Sequence, residues 1–190
     1  MPKTPRDTLR KHIGESGVVV TRHEFEAEMA AARAALDGIL RDASPAALLK
    51  PRTIQAWSCA DVLAHLAGYT RSISDQLAAI RGKDRSGPEY KAPPDATTDE
   101  YNEMVVEHWR ERNLEELLEE ESAAFAALVR EVLEVPEDAL TDETRFEFAG
   151  GRSLARILPN NSYAHYRMHL PELTAVLRPS PSAATHGGQT

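Results

Sequence analysis

Apolar residues recur along this chain at steps of three and four, the period of helices with one buried face. The first stripe is Phe25, Met29, Ala32, Leu36 and Ile39–Leu40, with Glu24, Glu26, Glu28, Arg33 and Asp37 on the intervening positions. Thr21-Arg22-His23-Glu24 stands at its head and fits a capping box, in which the threonine hydroxyl accepts a backbone N–H and the glutamate reaches back. Asp42-Ala-Ser-Pro45 interrupts the pattern, and a short helical turn is expected through Leu49. A second capping box, Ser58-Cys-Ala-Asp61, precedes the stripe Val62, Leu66, Tyr69, Ile73, Leu77 and Ile80, with Gly82 as its stop. Thr97-Thr-Asp-Glu100 opens a third region, which carries Tyr101, Met104, Val105 and Trp109. Asn113 caps its continuation, whose core face is Leu114, Leu117, Leu118, Phe125, Leu128, Val129 and Val132. A last helical region spans roughly 154–177, where Pro159 and Pro171 predict a bend or two short pieces.

Four main amphipathic segments joined by loops predict an all-α four-helix bundle over residues 21–177. Residues 1–20 read as a poorly ordered lead-in, in which Gly17-Val18-Val19-Val20 is too brief to demand a strand. Residues 178–190, rich in Pro, Ser, Gly and Thr, read as a flexible tail. The stretches 83–96 and 137–152 read as long connections, which permit crossovers between the second and third and between the third and fourth segments. The order of the helices stays open.

Composition supports the helical reading. The 190 residues include 28 Ala and 19 Leu but only 10 Val and 6 Ile, a balance that disfavours a sheet. The net charge of −8 argues against general nucleic-acid binding, which needs a basic surface. No apolar run approaches the ~20 residues of a membrane span, and the first residues lack the apolar stretch of a signal peptide. A single cysteine, Cys59, excludes an internal disulfide and a cysteine-based zinc site. A cytoplasmic location is the expectation, and composition alone reveals no activity. Glu115, Glu116 and Glu119-Glu120-Glu121 read as a solvated face near a helix start, where the helix dipole favours acids, rather than as metal ligands.

The histidines carry the candidate chemistry. His12 and His186 lie in the lead-in and the tail, and His23 in a first helical turn. His165 and His169 are spaced i, i+4 on the last helix, so both imidazoles share one face. His65 lies beside the apolar stripe of the second helix and can meet that pair across a bundle core. Three imidazoles would leave coordination positions open for water or substrate and suit zinc, nickel or iron; the alternative is a set of hydrogen-bonded core histidines. Among other candidates, His108 beside Trp109 reads as a packing residue and Asp61 as a cap. Arg152 and Arg167 read as solvent-exposed, and Cys59 as buried and inert. Tyr166 and Asn161 fit ligand contact as well as packing and capping.

Trp57-Ser-Cys-Ala-Asp-Val-Leu-Ala-His65-Leu resembles the W-S-x-x-D-x-x-x-H-L motif of the DinB/YfiT-like superfamily, and His165-Tyr-Arg-Met-His169-Leu-Pro resembles its closing H-Y-x-x-H-L-P. Tyr101-Asn102-Glu103 and the segment from Asn113 are similar to its third helix. The resemblance covers roughly residues 21–177. It implies a four-helix bundle holding a divalent metal on His65, His165 and His169, often as a homodimer. Some members are transferases or isomerases that use a low-molecular-weight thiol such as mycothiol or bacillithiol. In the mycothiol-dependent branch the first ligand of the closing helix is commonly Glu; His165 stands there in this chain, nearer the three-histidine members.

Two functions are therefore expected to compete. One is a divalent-metal-dependent enzyme, a thiol-dependent transferase or a hydrolase. The other is a non-enzymatic metal- or small-molecule-binding bundle with a sequestering or stress-related role.

Overall fold

The computed structural model describes residues 21–54, 56–84 and 95–178. The lead-in, the tail beyond 178, most of the 83–96 connection, His12 and His186 lie outside the described residues. Seven helices are described: α1 (Arg22–Leu40), α2 (Pro45–Leu48), α3 (Cys59–Ile80), α4 (Thr98–Arg110), α5 (Leu114–Leu133), α6 (Leu154–Ile157) and α7 (Tyr163–Leu177). Among the described residues there is no β-strand, only an isolated antiparallel bridge between Ile54 and Trp57.

The helix starts follow the sequence closely. Capping boxes form at Thr21–Glu24, Ser58–Asp61 and Thr97–Glu100, and Asn113 accepts the Glu116 N–H at 2.8 Å. Each satisfies N–H groups that a helix start leaves without intrahelical partners. Gly82 ends α3 with φ +69°, a left-handed conformation that glycine adopts without a Cβ penalty. The bend in the last region falls between Pro159 and Ser162, whereas Pro171 lies inside α7, which runs unbroken to Leu177. The expected two pieces exist, but only the first proline separates them.

The bundle proper is α1, α3, α5 and α7. Helix α3 packs on α5 and α7, and α1 packs on the same two from the other side. The connection from α1 to α3 therefore crosses the bundle, as does the turn-rich stretch from α5 to α7. Of the two long connections that permitted a crossover, the one after α3 makes none: the chain passes through α4, which lies on α3, into the adjacent α5. Helix α3 is the central element, with 17 of its 22 residues buried, so its single predicted stripe became burial on nearly every side. Ile80, placed in that stripe by its spacing, is 55% exposed at the helix end.

Close approach of α4 to α3 depends on one glycine. A Cβ on Gly68 would lie 2.6 Å from Val105 Cγ1. That distance is far inside van der Waals contact, and a β-branched valine in a helix has little rotamer freedom to yield. Gly68 is three residues from His65, so the same contact brings the start of α4 alongside the histidine.

The acidic run at the start of α5 needs a correction. Glu115, Glu116 and Glu119 are exposed as expected, but Glu121 is 1% exposed. The spacing Leu117, Glu121, Ala124, Leu128 places it on the core face. Its carboxylate accepts from Tyr166 Oη at 2.7 Å and from Arg33 Nη1 at 2.6 Å, tying α5 to α7 and α1. Glu120 pairs with the buried Arg71 of α3 at 2.7 Å. Buried charges persist only when paired in this way.

Two stability experiments follow. Gly68→Ala is expected to cost about 1–3 kcal/mol through overpacking, although alanine is the better helix former. In urea unfolding, the double variant with Val105→Ala should lose less than the sum of the single variants, because the clash disappears. Arg33→Ala should cost about 3 kcal/mol by stranding Glu121, whereas Asp37→Ala, which removes only Arg33's exposed partner, should cost less than about 1 kcal/mol.

Candidate metal centre

The centre is assembled from two helices and the short reversal before one of them. Ile54 and Trp57 exchange backbone hydrogen bonds of 2.9 Å, which turns the chain back just ahead of α3. The reversal sets the Trp57 ring 5.1 Å from the His65 ring. Ser58 then caps the helix with Asp61, and Asp61 also accepts from Arg110 of α4 at 3.1 Å. Trp57, Ser58 and Asp61 thus fix where α3 begins, and His65 follows one turn after Asp61. Asp61 is a cap and an ion-pair partner, in line with its sequence reading.

His65, His165 and His169 converge. Their candidate ligand nitrogens all lie within 4.8 Å of one another. His65 Nε2 is 2.8 Å from His165 Nε2, and the His169 ring is centred 5.3 Å from His65 and 5.1 Å from His165. His65 and His165 are each 6% exposed. Tyr69 stands edge-on to both, at 4.9 and 5.0 Å, and donates its hydroxyl to Asn102 of α4 at 3.0 Å. His169 Nδ1 lies 3.0 Å from Glu172 Oε2. His65 Nδ1 and His169 Nε2 are buried without a hydrogen-bond partner.

Burial governs the electrostatics. It pushes the His65 imidazole down to about 3, with the His169 ring adding to the effect and the Asn102 side chain opposing it. Burial, then the two neighbouring imidazoles, holds His165 well below the usual histidine range. Burial likewise pushes the Tyr69 hydroxyl up to about 12. Desolvation disfavours the charged form of every one of these groups. The result is a pair of neutral imidazoles in a dry setting, the protonation state in which nitrogen binds a metal.

The remaining candidates lie elsewhere. Tyr166 turns its hydroxyl to Glu121, and Asn161 donates to the Ile157 carbonyl at 2.7 Å, so both serve packing and capping. Arg167 pairs with Glu28, and Arg152 donates to the Ala149 carbonyl at 3.0 Å. His108 stacks edge-on to Trp109 at 5.3 Å and is not part of the cluster. Cys59 is fully buried, and burial raises its thiol pKa. Asn102 and Glu172 are neighbours of the cluster to which the sequence reading assigns no role. The i, i+3 spacing of Glu172 from His169 was a readable signal, whereas Asn102 reaches the cluster only through the packing of α4.

The pH dependence of folding follows from the two depressed imidazoles. The unfolded chain takes up protons at the ordinary histidine pKa of about 6.5, where the folded chain does not. Their stabilising contribution is therefore whole above about pH 6.5. It falls as pH drops towards about 3 for His65, at up to about 1.4 kcal/mol per pH unit for each group. Urea unfolding of the metal-free protein should show this loss, and a His65→Gln/His165→Gln double variant should show a flatter profile. An equal slope in both proteins would contradict the burial of these rings.

The family profile for the mycothiol maleylpyruvate isomerase N-terminal domain matches residues 29–166, most of the chain. The matched stretch holds His65 and His165 and ends before His169. No curated protein matches. Among solved structures, the colibactin self-resistance protein ClbS in complex with double-stranded DNA is similar, with a TM-score of 0.65 and 15% identity over 86% of this chain and 99% of that one. A Streptococcus pneumoniae protein from a structural genomics consortium is similar with a TM-score of 0.70 and 12% identity, over 89% of this chain and 98% of its own. At these identities the likenesses establish the fold alone. The profile covers well over half of the chain, and the chain belongs to the mycothiol maleylpyruvate isomerase N-terminal domain family.

Proposed function

We propose that the protein is a divalent-metal-dependent enzyme whose metal is held by His65, His165 and His169. The observation that carries this reading is the convergence of three imidazoles in a dry core, with the His169 Nε2 buried and unpartnered beside the other two rings. A buried acceptor left without a partner costs stability, and a cation would satisfy it. The donor set fits: neutral imidazole suits zinc, nickel and iron. The nitrogens of a tetrahedral zinc site stand about 3.3 Å apart; here His65 Nε2 and His165 Nε2 are 2.8 Å apart, and the three candidate ligand atoms all lie within 4.8 Å of one another.

A divalent ion there supplies Lewis acidity, lowering the pKa of a bound water or thiol and polarising a carbonyl. The chain's own residues do the rest. The Trp57 and Tyr69 rings shield His65 from water. The Tyr69 hydroxyl, kept protonated by burial, holds Asn102 beside the cluster. A small-molecule substrate and a low-molecular-weight thiol or water as co-reactant complete the reading, as a thiol-dependent transferase or a hydrolase. The family resemblance is the ground for a homodimer, and the single cysteine with the lack of a signal-peptide stretch is the ground for a cytoplasmic location. Although ClbS was crystallised with DNA, a net charge of −8 favours a small molecule here. No described helix is long and apolar enough to cross a membrane.

A second reading keeps the metal or the histidines but not the catalysis. A cavity of about 210 Å³, lined by Leu49, Pro51 and residues of α3–α5, and one of about 890 Å³, lined by Pro45 and residues of α5, both lie away from the three histidines. A metal set apart from the cavities suits a structural or sequestering role.

Elemental analysis of the purified protein, with zinc, nickel and iron(II) reloading, tests the first claim. About one equivalent per chain is expected, and His169→Ala should weaken retention sharply. No retained metal, with reloading unaffected by His169→Ala, would sink the proposal. A screen pairing small thiols with electrophiles, with and without the metal, then separates the two readings by turnover.

A further inference from the structure

Glu172 has no part in the reading above, yet it is the one carboxylate hydrogen-bonded to a histidine of the cluster among the described residues. Its Oε2 lies 3.0 Å from His169 Nδ1. An ionised carboxylate only accepts, so a hydrogen bond at that distance places the imidazole hydrogen on Nδ1. A neutral ring carries one such hydrogen, and Nε2 is then a bare lone pair. That Nε2 is the atom found buried and without a partner. The two facts explain each other: the acid outside fixes the hydrogen, and the lone pair inside is left for something else.

The other two rings differ. His65 and His165 face each other through their Nε2 atoms at 2.8 Å, a hydrogen bond that either ring can donate. The surroundings of His65 are the Trp57 and Tyr69 rings and the Asn102 amide. Neither ring has a carboxylate to settle its tautomer. The helix explains the asymmetry: i, i+3 spacing sets Glu172 beside His169 on the outer flank of α7, with its side chain 41% exposed. His165 looks instead into the core.

We propose that Glu172 is a positioning residue. By holding His169 in its Nδ1–H form, it aims the Nε2 lone pair into the three-histidine cluster and makes His169 the pre-set donor to a divalent cation. A carboxylate behind a histidine also raises the basicity of the far nitrogen. The last step rests on the metal reading; the tautomer does not. An exposed acid paired at a surface contributes little to stability, so its removal leaves the fold intact.

The test compares wild type, Glu172→Gln and Glu172→Ala in two measurements. Imidazole ¹⁵N shifts of His169 in metal-free protein, at about pH 8 where a free imidazole is neutral, report which nitrogen bears the hydrogen. Zinc titration against a chromophoric chelator reports affinity. Wild type should show Nδ1–H. Glu172→Gln should retain that form, because an amide oxygen still accepts, and Glu172→Ala should give a mixture. Zinc affinity should fall about 10–100-fold in Glu172→Ala and less in Glu172→Gln, with unchanged urea midpoints. A wild-type ring protonated on Nε2, or a Glu172→Ala protein with the same tautomer and affinity as wild type, would overturn the proposal. The expected tautomer shift in a wild-type protein that binds no zinc would uphold Glu172's hold on the ring and overturn its role toward a cation, together with the metal reading.

Discussion

The packing of α7 against α3 is the contact on which the candidate centre depends. It brings His65, a hundred residues from His165, to within 2.8 Å of it. No local feature of the chain could do this. The i, i+4 pair on α7 is local, but alone it offers two donors on a helix face. The third comes only because α3 runs through the middle of the bundle and turns its histidine towards α7. Once there, the ring lies among Trp57, Tyr69 and its two partners, and desolvation keeps it neutral. The same burial that stabilises α3 therefore sets the protonation state that metal binding requires.

The rest of the bundle fixes how α3 and α7 meet. Glu121 holds Tyr166, the residue after His165, from one side and Arg33 from the other. Adjacent residues on a helix point about 100° apart. Anchoring Tyr166 towards α5 thus fixes the rotation that directs His165 to α3. Gly68 acts on the opposite flank by letting α4 approach, which brings Asn102 and Tyr69 together. Buried charge in such a network costs desolvation, and its gain lies in a single defined arrangement of the helices.

Much of this was legible along the chain. The capping boxes at Thr21, Ser58 and Thr97 and the cap at Asn113 stand where their spacing put them, because capping is local chemistry. The stripe from Phe25 to Ile39 is buried as its period requires. The three histidines were identifiable from spacing and from resemblance. What sequence could not supply was the long-range arrangement. The long connection after α3 permitted a crossover that the chain does not make, because loop length limits topology without choosing it. Glu121 was read with its acidic neighbours as solvated, although its heptad-like spacing from Leu117 and Leu128 places it inward. Composition outweighed periodicity in that reading, and burial followed the periodicity. The bend or two pieces that Pro159 and Pro171 implied form at Pro159, and α7 carries Pro171 within it.

The central claim is that three imidazoles, and no cysteine of the chain, bind one divalent ion. X-ray absorption spectroscopy of the zinc-loaded protein tests this most directly. The account predicts a first shell with three imidazole nitrogens at about 2.0–2.1 Å, completed by an oxygen donor, and no sulfur. In protein prepared without added thiol, a zinc–sulfur distance of about 2.3 Å would put Cys59 in the shell, and an all-oxygen shell would place the ion on surface carboxylates. Either result would contradict it.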